Sequence, residues 1–261
     1  MNTELKCHDV HSLSLANLLK IQIKKSESKL LIFPSSNPFC ANNIKEYWFD
    51  SRFWREKQAI IGESKGRHIT WFVKPPQDAA ESAWVLRHYY RGGLIAKITS
   101  GNFFYTGIKN TRAYKEIRLL QVMREIGLPV PKPIGGSVRR KGLFYTADLL
   151  MEKIEAKDLV AKLKVGQLAE NLWKKIGKTI AEFHQKGIYH ADLNTHNILL
   201  DEDDKVWLID FDRCEQRVAS SSWQQYNLER LKRSLLKEKS LHCQFFFDDK
   251  NWQWLLVGYR G

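Results

Sequence analysis

Between His190 and Asp212 the sequence spaces three oxygen-bearing side chains in a way that few folds can use. It reads His190-Ala191-Asp192-Leu193-Asn194-Thr195-His196-Asn197, then Ile198-Leu199-Leu200, a polar turn from Asp201 to Lys205, and Val206-Trp207-Leu208-Ile209-Asp210-Phe211-Asp212. A lone Asp or Asn in a loop is ordinarily a turn former. The joint pattern H-x-D-x-x-x-x-N, followed by a strand, an acidic turn and a second strand ending in Asp-Phe, is that of a phosphoryl-transfer centre. In such a centre the loop carboxylate, here Asp192, holds an acceptor hydroxyl, while Asn197 and Asp210 hold Mg²⁺ on the phosphates of ATP.

Size and charge bound the setting of that centre. The 261 residues, 43% of them hydrophobic, suffice for one large domain or two lobes with a full core. Lys and Arg total 42 against 29 Asp and Glu, a net charge of +13, so an anionic partner is expected. No recognition motif points to nucleic acid, and none is expected to bind. The cysteines Cys7, Cys40, Cys214 and Cys243 are widely spaced without a C-x-x-C, which argues against zinc and against a small disulfide scaffold. No apolar stretch approaches the roughly 20 residues that cross a bilayer, and the N-terminus lacks the pattern of a secretory signal. A cytosolic protein able to dock on a membrane surface is expected.

Along the chain, Leu15, Leu18 and Leu19 with Lys20, Lys24 and Lys25 suggest a short basic amphipathic helix over 14–25. The aromatic run of Tyr47, Trp48, Phe49, Phe53 and Trp54 reads as an apolar face docking on a core. From Gln58 the period becomes that of strands: Ala59–Gly62 leads through Glu63–Arg67 to Ile69–Val73 and, after a Pro75-Pro76 turn, Trp84–Tyr89, which resembles three antiparallel strands. Gly62, Lys65, Gly66 and Arg67 form the first hairpin, where glycines would let backbone N–H groups approach phosphate oxygens. The third strand should present a cation to those phosphates: Arg87 stands at that position, with Lys97 as the competing residue. Thr111–Ile126 reads as a helix capped by Thr111, and its Glu116 would pair with the strand cation. Strands are expected at 136–138, 143–147 and from Leu149 into a link, where Glu152 and Ile154 would offer main-chain groups to adenine. Helices follow at 167–186 and 223–239; His184 and His190 are read as structural, and His196 as packed or solvated. The second of these helices carries an apolar stripe, Leu228, Leu231 and Leu235, which leaves Arg230, Lys232, Arg233 and Lys237 outside it; a solvated face is the usual meaning of such a pattern, yet beside a phosphoryl-transfer site it could attract a phosphorylated lipid.

Only about ten residues separate Asp212 from that last helix, and no Ala-Pro-Glu anchor occurs there. That leaves little room for a platform on which a polypeptide substrate docks. Two runs are far more specific than the core motif: Arg87-His88-Tyr89-Tyr90-Arg91-Gly92-Gly93 and Asn227-Leu228-x-Arg230-Leu231-Lys232-Arg233-Ser234. With Leu128-Pro129-Val130-Pro131-Lys132-Pro133-Ile134 and the His190–Asp212 stretch, they make the chain resemble the Kdo kinases of Gram-negative bacteria. These belong to the lipopolysaccharide kinase branch of the protein-kinase-like superfamily. The resemblance implies an α+β, protein-kinase-like two-lobed fold, its N-lobe an antiparallel sheet plus helix and its C-lobe mainly helical. The lobes would occupy 46–155 and 156–261, after an N-terminal extension over 1–45. It further implies transfer of the ATP γ-phosphate to the 4-hydroxyl of a Kdo sugar on a lipid A precursor, at the cytoplasmic face of the inner membrane. Two alternatives stay open: a small-molecule phosphotransferase of the aminoglycoside or choline kinase type, and a catalytically silent, basic lipid-binding module.

Overall fold

The computed structural model of the chain describes residues 20–37, 39, 43–65, 69–76, 79, 82–90 and 102–261, with Lys65 described by its backbone alone. Two compact units result. One comprises the described residues of Met1–Val122 with Lys132–Lys153, the other Met123–Pro131 with Ile154–Gly261.

The first unit is built on an antiparallel sheet. Its elements are β1 (Ile21–Lys25), β2 (Leu30–Pro34), α1 (Ser51–Glu56), β3 (Ile60–Lys65), β4 (Ile69–Val73), β5 (Trp84–His88), β6 (Phe103–Phe104), α2 (Arg112–Glu125), β7 (Pro133–Lys141) and β8 (Phe144–Glu152). Across the sheet the order is β1-β2-β7-β8-β5-β4-β3, with β6 beside β8. Alternation along β5 sorts the two faces. Trp84 and Leu86 pack with Trp48, Phe49 and Trp54, so the aromatic run covers one face. Tyr89, just beyond β5, packs with Ala113 and Ile117 of α2 on the other.

Two expectations change here. Residues 21–25, read as the end of a helix, form edge strand β1, with Ile23 opposite Ile32 of β2; residues 14–19 lie outside the described residues. Ile21 and Ile23 alternate with Gln22 and Lys24, which is strand periodicity, and lysines suit a solvent-facing edge. The strands read separately around Ala147 and Leu149 are one strand, β8. The polar residue that divided them, Asp148, is satisfied within the sheet. It meets His88 Nδ1 at 2.6 Å and the Ser137 hydroxyl at 2.6 Å, with Lys29 Nζ at 3.6 Å. One carboxylate thereby ties β5, β7 and β8 to the residue that opens β2, and a paired polar group does not break a strand.

Helix α2 lies within a residue of its expected span, and the hydroxyl of Thr111, just before it, donates to the Ile108 carbonyl at 2.6 Å.

The second unit holds β9 (Lys157–Asp158), α3 (Leu159–Val165), α4 (Glu170–Gln185), β10 (Ile188–Tyr189), β11 (Ile198–Leu200), β12 (Val206–Leu208), β13 (Glu215–Gln216), α5 (Ser221–Leu241) and α6 (Asp249–Arg260). Helix α4 buries Leu172, Ile176, Ile180 and Phe183 along one stripe. It is stopped at Gly187, whose φ of +73° suits glycine and where a Cβ would sit 2.2 Å from the Arg217 carbonyl oxygen. Helix α6 has no counterpart in the sequence reading. A reciprocal capping box starts it: Asp248 Oδ1 accepts from the Asn251 N–H at 2.9 Å, and Asn251 Oδ1 accepts from the Asp248 N–H at 3.0 Å. It crosses α4 at two glycines, Gly177 and Gly258, where the backbones nearly touch. Among the described residues no helix is long and apolar enough to cross a membrane.

Candidate active site

The loop from His190 to Asn197 is rigid because its polar groups satisfy one another. His190 is buried; its Nε2–H donates to the Ile209 carbonyl at 3.0 Å while Nδ1 accepts the Asp192 N–H at 3.2 Å. Burial pushes the His190 pKa below its ordinary value, which keeps the imidazole in the neutral form this double role needs. Asn194 Oδ1 accepts the N–H groups of His196 and Asn197, capping the short helical turn Thr195–Asn197. The side-chain amides of Asn194 and Asn197 both donate to the Asp192 carbonyl, at 3.1 and 2.9 Å. The main chain on both sides of Asp192 is therefore fixed.

Helix α5 backs this loop with a polar stripe. Asn227 is fully buried and brackets His190, accepting its N–H at 3.3 Å and donating to its carbonyl at 3.0 Å. Arg230 reaches Asp192, with Nε at 3.0 Å and Nη2 at 2.5 Å from Oδ1. Ser234 Oγ accepts the Thr195 N–H at 3.1 Å, and Glu238 lies 3.5 Å from His196 Nε2. Positions 227, 230, 234 and 238 share one helical face. The expectation that Arg230 lies on a solvated face is thus corrected: Asp192 draws it in, and the carboxylate raises the guanidinium pKa further.

Asp210 follows β12 with φ of +64°, a left-handed conformation uncommon for a residue with a side chain and characteristic of functional turns. Phe211 next to it is buried, stacked on Phe183 of α4 and packed against His190. The Ile209 N–H donates to the Asn197 carbonyl at 3.1 Å, so the two proposed metal-binding residues are linked through one backbone bond. For Mg²⁺ the donor chemistry fits: Asp210 brings a carboxylate, and the Nδ2 bond of Asn197 fixes its other end as an amide oxygen. Among the described residues no group of three or more His, Cys, Asp and Glu could hold a metal alone.

In the first unit the structure brings Arg87 and Glu116 together, Nη2 to Oε2, at 2.5 Å. Glu116 is buried, and the Tyr89 hydroxyl donates to the same oxygen at 2.7 Å. Arg87 also lies over the Tyr89 ring, 5.0 Å from its centroid. A buried carboxylate held by two donors orients the arginine along one direction. Gly62 sits within β3 at a shift of register with β4. Gly66, Arg67 and Lys97 lie outside the described residues, as does the side chain of Lys65. The Glu152 N–H is engaged by the Lys132 carbonyl at 2.9 Å, and the Ile154 carbonyl accepts the Ala156 N–H at 3.0 Å.

Two histidines, His184 before the loop and His196 within it, have opposite pH behaviour. His184 is buried between the Tyr259 hydroxyl and Asn227 Oδ1, and burial pushes its pKa down to about 4. The unfolded chain takes up that proton near pH 6.5 while the folded chain does not, so stability falls as pH drops from 6.5 to about 4. The full effect is about 3 kcal/mol. His196 pairs with Asp158 at 2.8 Å, which raises its pKa. Its contribution is complete below pH 6.5 and is lost as pH rises through the raised value. Urea unfolding from pH 4 to 9 should therefore show a maximum near pH 6.5. His184→Gln should flatten the acid limb and His196→Gln the alkaline one, and limbs unchanged in both variants would refute the assignment.

Sequence reasoning missed Asn227, Arg230 and Ser234 as partners of the loop. Their spacing by one and two helical turns was the available signal. It was masked by the leucine stripe beside it, against which any polar position reads as solvent.

The sequence that builds this site has relatives. A protein of Vibrio vulnificus (strain YJ016) named 3-deoxy-D-manno-octulosonic acid kinase is 44% identical over 216 residues, covering 81% of this chain and 88% of that one. A protein of the same name from Mannheimia succiniciproducens is 45% identical over 222 residues, 83% of this chain and 91% of that one. Another from Pasteurella multocida is 40% identical over 242 residues, 88% of this chain and the whole of that protein. The family model described as lipopolysaccharide kinase (Kdo/WaaP) matches residues 51–259, spanning the Arg87–Glu116 pair, the Asp192 loop and the stripe on α5, and the chain belongs to that family.

Proposed function

We propose that this protein transfers the γ-phosphate of ATP to the 4-hydroxyl of a Kdo sugar on a lipid A precursor. The reading is carried by one observation: the Asp192 loop is fully braced and complete with Asn197 and Asp210, in a chain 40–45% identical to named sugar-acid kinases over most of its length. A silent lipid-binding module would have no use for that bracing. The basic charge of +13 suits an anionic lipid at the cytoplasmic face of the inner membrane, met as a peripheral protein.

In this mechanism Asp192 accepts the hydrogen bond of the sugar hydroxyl and aims its oxygen at the γ-phosphorus. The bond from that phosphorus to the bridging oxygen breaks as the new one forms, and the hydroxyl proton passes to Asp192. Because such transition states are loose, positioning and charge neutralisation supply most of the rate. Arg87, steadied by Glu116, supplies positive charge to the ATP phosphates. The Glu152 carbonyl and Ile154 N–H offer adenine a hydrogen-bonding edge. Asn197 and Asp210 would hold Mg²⁺, which neutralises phosphate charge when bound.

Radiolabel transfer from γ-labelled ATP to Kdo-lipid A precursor, beside soluble sugars and amines as acceptors, tests the reading. Labelling of the lipid alone is expected. Labelling of an aminoglycoside or choline in its place would favour the soluble-acceptor alternative. Asp210→Asn should raise the magnesium needed for half-maximal nucleotide binding on the order of tenfold; an unchanged magnesium titration would remove Asp210 from the metal site.

A further inference from the structure

Arg230 is oriented more specifically than an arginine that merely neutralises a neighbouring carboxylate. Nε and Nη2 both go to the same oxygen of Asp192, Oδ1, and the guanidinium is also hydrogen-bonded to the side chain of Tyr226, one turn back on the helix. An arginine paired only with a carboxylate ordinarily forks across both oxygens. Using one edge on one oxygen leaves Asp192 Oδ2 for the acceptor hydroxyl, and the N–H groups that neither Asp192 nor Tyr226 takes for a second anion. The pair is also accessible, with the Arg230 and Asp192 side chains 35% and 41% exposed. One turn on, Arg233 lies over the ring of Tyr226 at 5.9 Å, so positive charge continues along the same helix.

The acceptor chemistry supplies the second anion. The relatives' name specifies a 3-deoxy sugar acid, in which the carbon bearing the carboxylate and the carbon bearing the 4-hydroxyl are separated by a single methylene. A hydroxyl received at Asp192 therefore brings a carboxylate to within a residue's reach of that site.

We propose that Arg230 is the residue that selects a sugar acid: it holds Asp192 through Oδ1 and binds the carboxylate of the acceptor with its remaining N–H groups. It thus sets the angle of Asp192 and the register of the sugar together. This rests on the reading of the chain as a sugar-acid kinase. Arginine suits the task better than lysine because its planar fork serves two carboxylates in fixed directions, whereas an ammonium is a point charge.

The test uses two acceptors that share the hydroxyl, the natural acidic one and the same compound with its carboxylate converted to the carboxamide. The wild-type protein is expected to prefer the acid by roughly 10- to 100-fold in kcat/KM, the range of a charge-assisted hydrogen bond. Arg230→Gln should lose that preference, mainly through the KM of the acid acceptor, with the KM for ATP unchanged. Arg230→Lys, which keeps the charge without the fork, should retain part of it. Melting profiles of both variants should match the wild type, since the side chain is partly exposed. If Arg230→Gln slows both acceptors equally and keeps the preference for the acid, Arg230 only positions Asp192 and the proposal is overturned. If the wild type labels neither acceptor, the proposed function itself has failed, a result distinct from the loss of selectivity.

Discussion

Asp192→Ala is expected to abolish phosphate transfer while leaving fold and nucleotide binding intact. Removing a positioned acid–base group costs about 10²–10⁴-fold in rate. Here the loss should fall toward the upper end, because the same carboxylate also aligns the hydroxyl. The fold should survive, since the loop is held by other atoms. The Asp192 carbonyl is gripped by Asn194 and Asn197, and His190 is bracketed by Asn227. None of these bonds involves the Asp192 carboxylate. Its side-chain partner among the described residues, Arg230, is partly exposed and can be hydrated when the pair is broken. Single-turnover transfer and equilibrium ATP binding on the same preparation check this. Near-normal transfer would remove Asp192 from the chemistry, and loss of ATP binding would show that its role is structural. Asp192→Asn refines the comparison: the amide oxygen can still accept from Arg230, so a comparable loss of rate assigns the effect to the charge.

The features of this site that could be read from the sequence are those whose partners are close in the chain. Asp192 and Asn197 were read from their spacing in the loop, and the structure joins them locally, with Asn197 donating to the Asp192 carbonyl five residues back. Such contacts leave a fixed spacing that chemistry alone can interpret. Arg87 and Glu116 lie 29 residues apart, yet they were legible because a strand cation and a helix acid are each required by phosphate binding. Arg230 sits 38 residues beyond Asp192, and its pairing depends on how α5 lies against the loop, which no local pattern encodes. Strand β1 was hidden by its lysines, which fit a basic helix as well as a solvent-facing edge. Helix α6 was hidden for another reason: Gly258 lies within it, and glycine inside a helix costs about 1 kcal/mol relative to alanine. Only the opposing helix shows why that cost is tolerated.

Gly177→Ala should destabilise the protein by about 3 kcal/mol or more, opposite in sign to what helix propensity predicts. Alanine in the middle of α4 would ordinarily gain about 1 kcal/mol. A Cβ at 177, however, would lie 1.9 Å from the Leu255 carbonyl oxygen and 2.8 Å from the Tyr259 nitrogen, both backbone atoms of α6. A backbone cannot rotate aside as a side chain can, so the two helices must separate. Separation would expose Trp252 and Leu255 and pull Tyr259 off His184. Gly258→Ala meets the Lys174 carbonyl oxygen at 2.0 Å and should cost a similar amount. Because either change opens the same interface, the double variant should lose less than the sum of the two. Gly166→Ala, with nothing near its added Cβ, serves as a control and should be close to neutral. Urea midpoints for the four variants test this, and a Gly177→Ala protein as stable as the wild type would mean the helices do not cross at these glycines. The loss should reach the active site as well. His184 is linked through Asn227 to His190, so loosening α6 from α4 removes one support of the loop that carries Asp192. Activity should then decline together with stability across these variants, whereas Asp192→Ala removes activity at full stability.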